Sequence, residues 1–240
     1  MNSFKKISML LAFFLLINLA AAETIQPGPQ TDLPLVQTIP MPQITGGMNH
    51  LAADAGHNRF FVTAPPDQKL VIVDLRAGKV FGIITGYKPA AARFAPDLNQ
   101  LCVSGAKAVT IYDGDSFAVL GKIALNGGVD ELQYDAHTHR LYAGIQDAAH
   151  PAIAVIDLNS RKLLTYIKLS AKPQGFVMNA SGTRLYANTT TADSVTVIDC
   201  QKLSVIAEWK LTSAQSNCPI ALDNKTHRLF VGCRKPACLL

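Results

Sequence analysis

The chain has 240 residues, 49% of them hydrophobic, and carries 22 lysines and arginines against 17 aspartates and glutamates. Lys5 and Lys6 leave with the leader described below, so the remaining excess is +3, and the basic residues fall singly in turns rather than on one surface. That distribution argues against a nucleic-acid binder, and beyond Ala22 no apolar run reaches the roughly 20 residues of a membrane-spanning helix.

Met1 to Met9 holds Lys5 and Lys6 without an acid, Leu10 to Leu19 is a short apolar run, and Ala20-Ala21-Ala22 supplies small residues before Glu23. A basic start, a short apolar segment and an A-x-A-like end predict a secretory signal peptide over 1–22, with an uncleaved anchor as the alternative. Export places the protein in the periplasm or outside the cell. Residues 23–34, rich in Pro, Gln and Gly, read as a flexible leader, and one globular domain is expected over 35–240.

Within that domain one phrase recurs. It opens at Arg59 (RFFVTA), Gln100 (QLCVSG), Arg140 (RLYAGI), Arg184 (RLYANT) and Arg228 (RLFVGC), and closes on Asp74, Asp113, Asp157 and Asp199. Self-similarity at about 40 to 45 residues, with strand-like segments alone inside the unit, predicts an all-β propeller with one four-stranded antiparallel blade per repeat. In the third unit the alternation predicts strands over Glu131–Asp135, Arg140–Gly144, Ala152–Asp157 and Lys162–Lys168, joined by short polar turns.

The LYA segment followed by a strand ending in VID, at Leu141 to Asp157 and Leu185 to Asp199, resembles the YVTN-repeat β-propellers, including the YncE-type exported proteins. The resemblance covers nearly everything after Leu35. It implies a propeller scaffold of the kind found in surface-layer, envelope and electron-transfer-associated proteins, and usually seven blades. Four complete units and a partial fifth are present here, with two strands expected over Pro219–Asp223 and Arg228–Gly232. Leu35–Pro40 (LVQTIP) is expected to be an outer strand that clasps the last blade. Against the family pattern the chain reads as truncated at its C-terminal end, leaving the Arg228 strand as an open edge; the alternative is a small complete propeller closed by LVQTIP.

Recurrent residues are expected to be structural. The strand-end aspartates suit turn amides, and His57, His137, His139 and His227 lie in or beside the inner hairpin turns. The His137-x-His139 pair sits where other units carry ordinary turn residues, so no metal site is assigned. HExxH, P-loop, GxSxG and CxxCH motifs do not occur, and no cofactor is evident.

Residues that differ between units at one structural position are better candidates. Counting back from the ends of the innermost strands gives Asn49, His50, Arg93, Asp130, Glu131 and Gln174, which a propeller would gather at one mouth of its central channel. Arg93 is the residue suited to an anionic group; the plainer reading is a solvated rim. Of the five cysteines, Cys218 and Cys233 would stand opposite one another in an unbroken hairpin, a geometry open to a disulfide. The leading expectation is a non-catalytic scaffold of the cell envelope that binds a small molecule or a protein partner. The alternative is a propeller enzyme, a lactonase or a quinone-linked dehydrogenase subunit, and a purely structural envelope role is a third reading.

Overall fold

A computed structural model describes residues 33–240, so the signal peptide and most of the leader fall outside the described residues. Leu33 to Val36 belong to an N-terminal unit of their own, without strand structure and with Leu35 and Val36 exposed. Gln37 to Leu240 form the second unit.

The second unit is built of five antiparallel sheets, each hydrogen-bonded in chain order. The first contains β1 (Leu51–Asp54), β2 (Arg59–Ala64), β3 (Lys69–Asp74) and β4 (Lys79–Thr85). The second contains β5 (Ala92–Ala95), β6 (Gln100–Ser104), β7 (Ala108–Asp113) and β8 (Val119–Ala124). The third contains β9 (Val129–Asp135), β10 (Arg140–Ile145), β11 (Ala152–Asp157) and β12 (Lys162–Lys168), the strands expected there with small extensions. The fourth contains β13 (Pro173–Met178), β14 (Arg184–Thr189), β15 (Ser194–Asp199) and β16 (Ser204–Lys210). The fifth has three strands, β17 (Gln215–Asp223), β18 (Arg228–Lys235) and β19 (Ala237–Leu239).

The repeated phrase is the register of each blade. Its opening and closing residues face one another across the second and third strands, as Arg59 with Asp74, Gln100 with Asp113, Arg140 with Asp157 and Arg184 with Asp199. The closing aspartates then accept hydrogen bonds from turn amides: Asp74 from Ala77, Asp113 from Asp115 and Ser116, Asp157 from Ser160, and Asp199 from Gln201 and Lys202. These bonds satisfy backbone donors that a tight turn would otherwise leave unpaired. The inner hairpins close on a residue in the left-handed region, at Asn58 (φ 52°), Asn99 (φ 48°), His139 (φ 53°), Gly182 (φ 68°) and His227 (φ 56°). Asn, His and Gly tolerate that conformation better than most residues, which gives His139 and His227 a backbone reason to be where they are.

Apolar residues fill the spaces between neighbouring sheets. Phe61, Leu70 and Ile72 of the first pack with Phe94, Leu101 and Tyr112 of the second. Ile111 and Val109 meet Leu132, Leu141 and Ile156, and Tyr142, Ile153 and Val155 meet Phe176, Leu185 and Ile198. Val195 and Ala214 join Val231 and Cys233 beside the fifth sheet. Each such side chain removed from water contributes about 1.5–3 kcal/mol, so the sheets are held face to face by burial rather than by shared hydrogen bonds.

Two expectations change. LVQTIP forms no strand; its Ile39, followed by Met41 and Ile44, packs on Val62, Val71 and Val73 of the first sheet. Ile39, Met41 and Ile44 thereby cover an apolar face that would otherwise meet water. The Arg228 strand is an open edge only in part: β19 pairs with it through Gly232–Leu239, Cys233–Cys238 and Arg234–Ala237, and Val231 bonds Leu240, while Arg228 to Phe230 have no strand partner on that side.

Candidate functional site

In every blade the innermost strand is interrupted near its start. Between Glu131, opposite Gly144, and Val129, opposite Ile145, the extra residue is Asp130. The register slips likewise between Phe176 and Pro173, at Gln174–Gly175, and between Ile220 and Asn217, at Cys218–Pro219. In the first two blades the second-strand residue spans a comparable step. Thr63 donates its amide to the His50 carbonyl and accepts from the Asn49 amide, and Ser104 does the same with Ala91 and Ala90. Such bulges bend the strand and re-aim a side chain that regular pairing would keep on a sheet face.

The re-aimed residues surround one cavity of about 350 Å³, lined by Asn49, His50, Asp130, Glu131, Gln174, Gly175, Cys218, Pro219 and Arg234. Five of the six residues singled out from the sequence therefore meet here. Arg93 does not line it. Its Nε and Nη2 donate to the Leu132 carbonyl at 3.0 and 2.9 Å, and Nη2 also donates to Gln133 Oε1 at 2.8 Å. The guanidinium braces β5 against β9 and is already engaged. The cause is a two-residue slip: β5 ends at Ala95, opposite Gln100, not at Asp97, so the true counterparts of Asn49 and His50 in the second blade are Ala90 and Ala91.

A stitch runs from blade to blade behind the cavity. Four residues into their second strands, Thr63 and Ser104 donate hydroxyls to the carbonyls of Ala90 and Val129 in the next blade, at 3.0 and 3.1 Å. Asn188 Nδ2, at the same position, donates to the carbonyls of Cys218 and Pro219 at 2.8 and 3.1 Å. The third blade has Gly144 there, because a Cβ would come within 2.9 Å of the Phe176 ring, and Gln146 reaches the Pro173 carbonyl from two residues further on. Bulged carbonyls that the ladder cannot satisfy thus find donors in the neighbouring blade.

Electrostatically the cavity is mixed. His50 Nε2 stands 3.8 Å from Asp130 Oδ1, and Asn49 Nδ2 donates to the same oxygen at 3.4 Å. The facing Asp130 carboxylate, above all, raises the His50 pKa above its ordinary 6.5, while His50 in turn holds Asp130 below its ordinary 3.8. Glu131 moves the other way: burial pushes its carboxyl up, and the hydrogen bond it accepts among the described residues comes from the amide of Leu132. Two adjacent carboxyls with opposite shifts are a recurrent mark of functional clefts. Arg234, which the sequence reading missed because it lies past the repeated phrase in β18, brings Nη2 to 3.6 Å from Cys218 Sγ.

The Cys218–Cys233 opposition does not occur. The bulge at Cys218–Pro219 consumes one residue of register, so Cys233 faces Asn217 on one side and Cys238 on the other, and Cys218 is not joined to Cys233. The two histidines of the HxH pair also part company. His137 Nε2 lies 3.1 Å from the Ala180 carbonyl, whereas His139 Nδ1 sits 3.0 Å from the Tyr134 hydroxyl and from Asp97.

The His50–Asp130 pair sets a pH expectation. His50, raised when folded, contributes stability that is complete below pH 6.5 and lost as pH rises through its folded value; Asp130, depressed, contributes stability present above pH 3.8 and lost as pH falls through its folded value. The imidazole proton resonances of His50 should therefore titrate with a midpoint above 6.5. In Asp130→Asn the midpoint should fall, and an unchanged midpoint would show that the two side chains do not interact in solution.

No family model matches the sequence, and no curated protein does. Solved structures match widely, 1374 chains in all. Hydrazine synthase of Kuenenia stuttgartiensis superposes with a TM-score of 0.71 at 20% identity, over 77% of this chain and 55% of that one. The β-propeller domain of Cps50 (Swd1) from Myceliophteria thermophila gives 0.65 at 16% identity, over 79% of this chain and 63% of that one. The fold is a β-propeller. At these identities the likeness carries architecture alone, and the chain spans less than two thirds of either neighbour.

Proposed function

We propose that this is an exported, YVTN-type propeller that acts as a non-catalytic binding scaffold of the cell envelope, with the central cavity as its ligand site. The observation that supports binding is the Glu131 carboxyl, which lines the polar cavity, is largely buried, and among the described residues accepts one hydrogen bond, from the Leu132 amide. A carboxylate has room for several donors, and a ligand ammonium or hydroxyl would supply another. Arg234 offers the opposite charge across the same space. The fitting ligand is a small polar molecule that presents a donor to Glu131 and Asp130, with room for an acidic group near Arg234. Because Arg93 is engaged with Leu132, the ligand need not be anionic.

A thermal-shift screen of small amines, amino acids and polyols with the wild type and with Glu131→Gln tests the reading. Hits that stabilise the wild type and lose most of their effect in the variant support it; hits of equal effect on both point away from this cavity. A second reading, a propeller enzyme, has in its favour a raised Glu131 and a raised His50 beside a depressed Asp130, a set suited to proton transfer. Turnover of simple lactones by the wild type and its loss in Glu131→Gln would favour that reading over the scaffold. No helix among the described residues is long and apolar enough to cross a membrane.

A further inference from the structure

A second cavity is lined by residues of the second blade and of the linker that leads into it. It measures about 540 Å³ and is floored by one face of the β7–β8 pair, where Ala108 stands opposite Ala124, Thr110 opposite Lys122, and Tyr112 opposite Val119. The linker from the first blade, Gly86-Tyr87-Lys88, forms one wall, and the β6–β7 hairpin at Gly105-Ala106-Lys107 closes an end. Small residues leave space at one end of the floor, where Ala108 and Ala124 are paired.

Its chemistry is of one sign. Lys88, Lys107 and Lys122 all line the cavity, and no acidic residue does. None of the three ammonium groups has an ion pair or a side-chain hydrogen bond among the described residues, although ion pairs occur elsewhere on the molecule. Between the lysines the lining is predominantly carbon, from alanines, Val119 and the two tyrosine rings. The Tyr87 hydroxyl is shielded from solvent without a hydrogen bond of good geometry, and burial, then the neighbouring Tyr112 hydroxyl, raises its pKa. A buried donor without an acceptor is the exception in folded proteins and calls for one.

We infer that this cavity is a binding site for an organic anion with an apolar body of roughly aryl size, its acidic group held by Lys88, Lys107 and Lys122 and its body resting on Ala108, Ala124 and Tyr112. Three like charges held around one space repel each other until an anion is present, and lysine holds a carboxylate, sulfonate or phosphate as a point charge without demanding a fixed geometry. The apolar floor adds the part of the affinity that a bare inorganic anion would lack.

Isothermal titration calorimetry with naphthalene-2-sulfonate as the probe tests this on the whole chain. Saturable binding at one site is expected, weakened by added salt. Each Lys→Gln change should weaken it about two- to fivefold, and the triple variant on the order of tenfold or more. These lysines are exposed, and unchanged circular dichroism and Tm will show that the variants fold. Ala124→Trp, which fills the floor, should abolish binding, while inorganic sulfate and neutral naphthalene-2-sulfonamide should each bind more weakly than the probe. The inference fails if the probe does not saturate, if the triple lysine variant or Ala124→Trp binds it as well as the wild type, or if sulfate alone binds equally tightly.

Discussion

Phe61→Ala is expected to destabilise the protein by about 3–5 kcal/mol, the range for deleting a fully buried phenyl ring. Phe61 has no exposed surface and lies between the first and second blades, 5.7 Å from the Phe94 ring centroid in a stacked pair and 6.2 Å from Phe117 edge-on. Arg59 lies over its ring at 5.8 Å. The ring therefore combines area burial with two aromatic pairs, and its neighbours belong to different sheets that cannot close a void without moving the blades. For a domain of this size the loss corresponds to a fall in Tm of about 6–20 °C, measurable by calorimetry. A drop of only a degree or two would mean that the blades slide together to fill the gap, contrary to a rigid inter-sheet core.

The second large effect is expected from Asn188→Leu, at about 2–4 kcal/mol, since several buried polar groups lose partners together. Asn188 has no exposed surface. Its Nδ2 serves the Cys218 and Pro219 carbonyls, and its Oδ1 accepts from Asn217 Nδ2, which also donates to the Ser194 carbonyl. Leucine keeps the branched shape but is larger, so crowding in a fully buried site adds to the loss of the hydrogen bonds. The bulge in β17 loses its restraint, and amide exchange should accelerate in the fifth blade while the first three keep their protection. Uniform acceleration over all blades would show instead that the network serves global stability and not the local bulge.

How much of this was legible in the sequence follows from which physical signals repeat. Strand alternation recurs from blade to blade, and a phrase closing on aspartate in the first four, because each blade solves the same packing problem; together they located the strands of the third unit almost to the residue. The polar residues at Asn49, His50, Asp130, Glu131 and Gln174 were found by counting from strand ends. That count works only where the strand ends are equivalent, and β5 stops two residues early at Ala95, which is how Arg93 was drawn into the set. Bulges were invisible because one extra residue changes no composition. The bulge in β17 separated Cys218 from Cys233, and its neighbours brought Arg234 into reach. The stitch of Thr63, Ser104 and Asn188 does carry a faint signal, a hydrogen-bonding side chain four residues after the opening residue in the first, second and fourth blades, with glycine at that position in the third and fifth. LVQTIP illustrates the limit of pattern alone. Its alternation suits a strand, yet the uncovered apolar face of Val62, Val71 and Val73 drew the segment into a different role.

The central claim is that the bulged inner strands make a ligand cavity, and Cys218 gives it a direct reporter. Cys218 lines the cavity and is partly buried, Cys238 is partly buried outside it, and Cys102, Cys200 and Cys233 are buried. Alkylation by iodoacetamide, followed residue by residue with mass spectrometry in the presence and absence of compounds that raise Tm, separates the two accessible thiols. The account predicts that such compounds slow alkylation of Cys218 and leave Cys238 unaffected. Stabilising compounds that leave the Cys218 rate unchanged, or that slow both thiols equally, would contradict it.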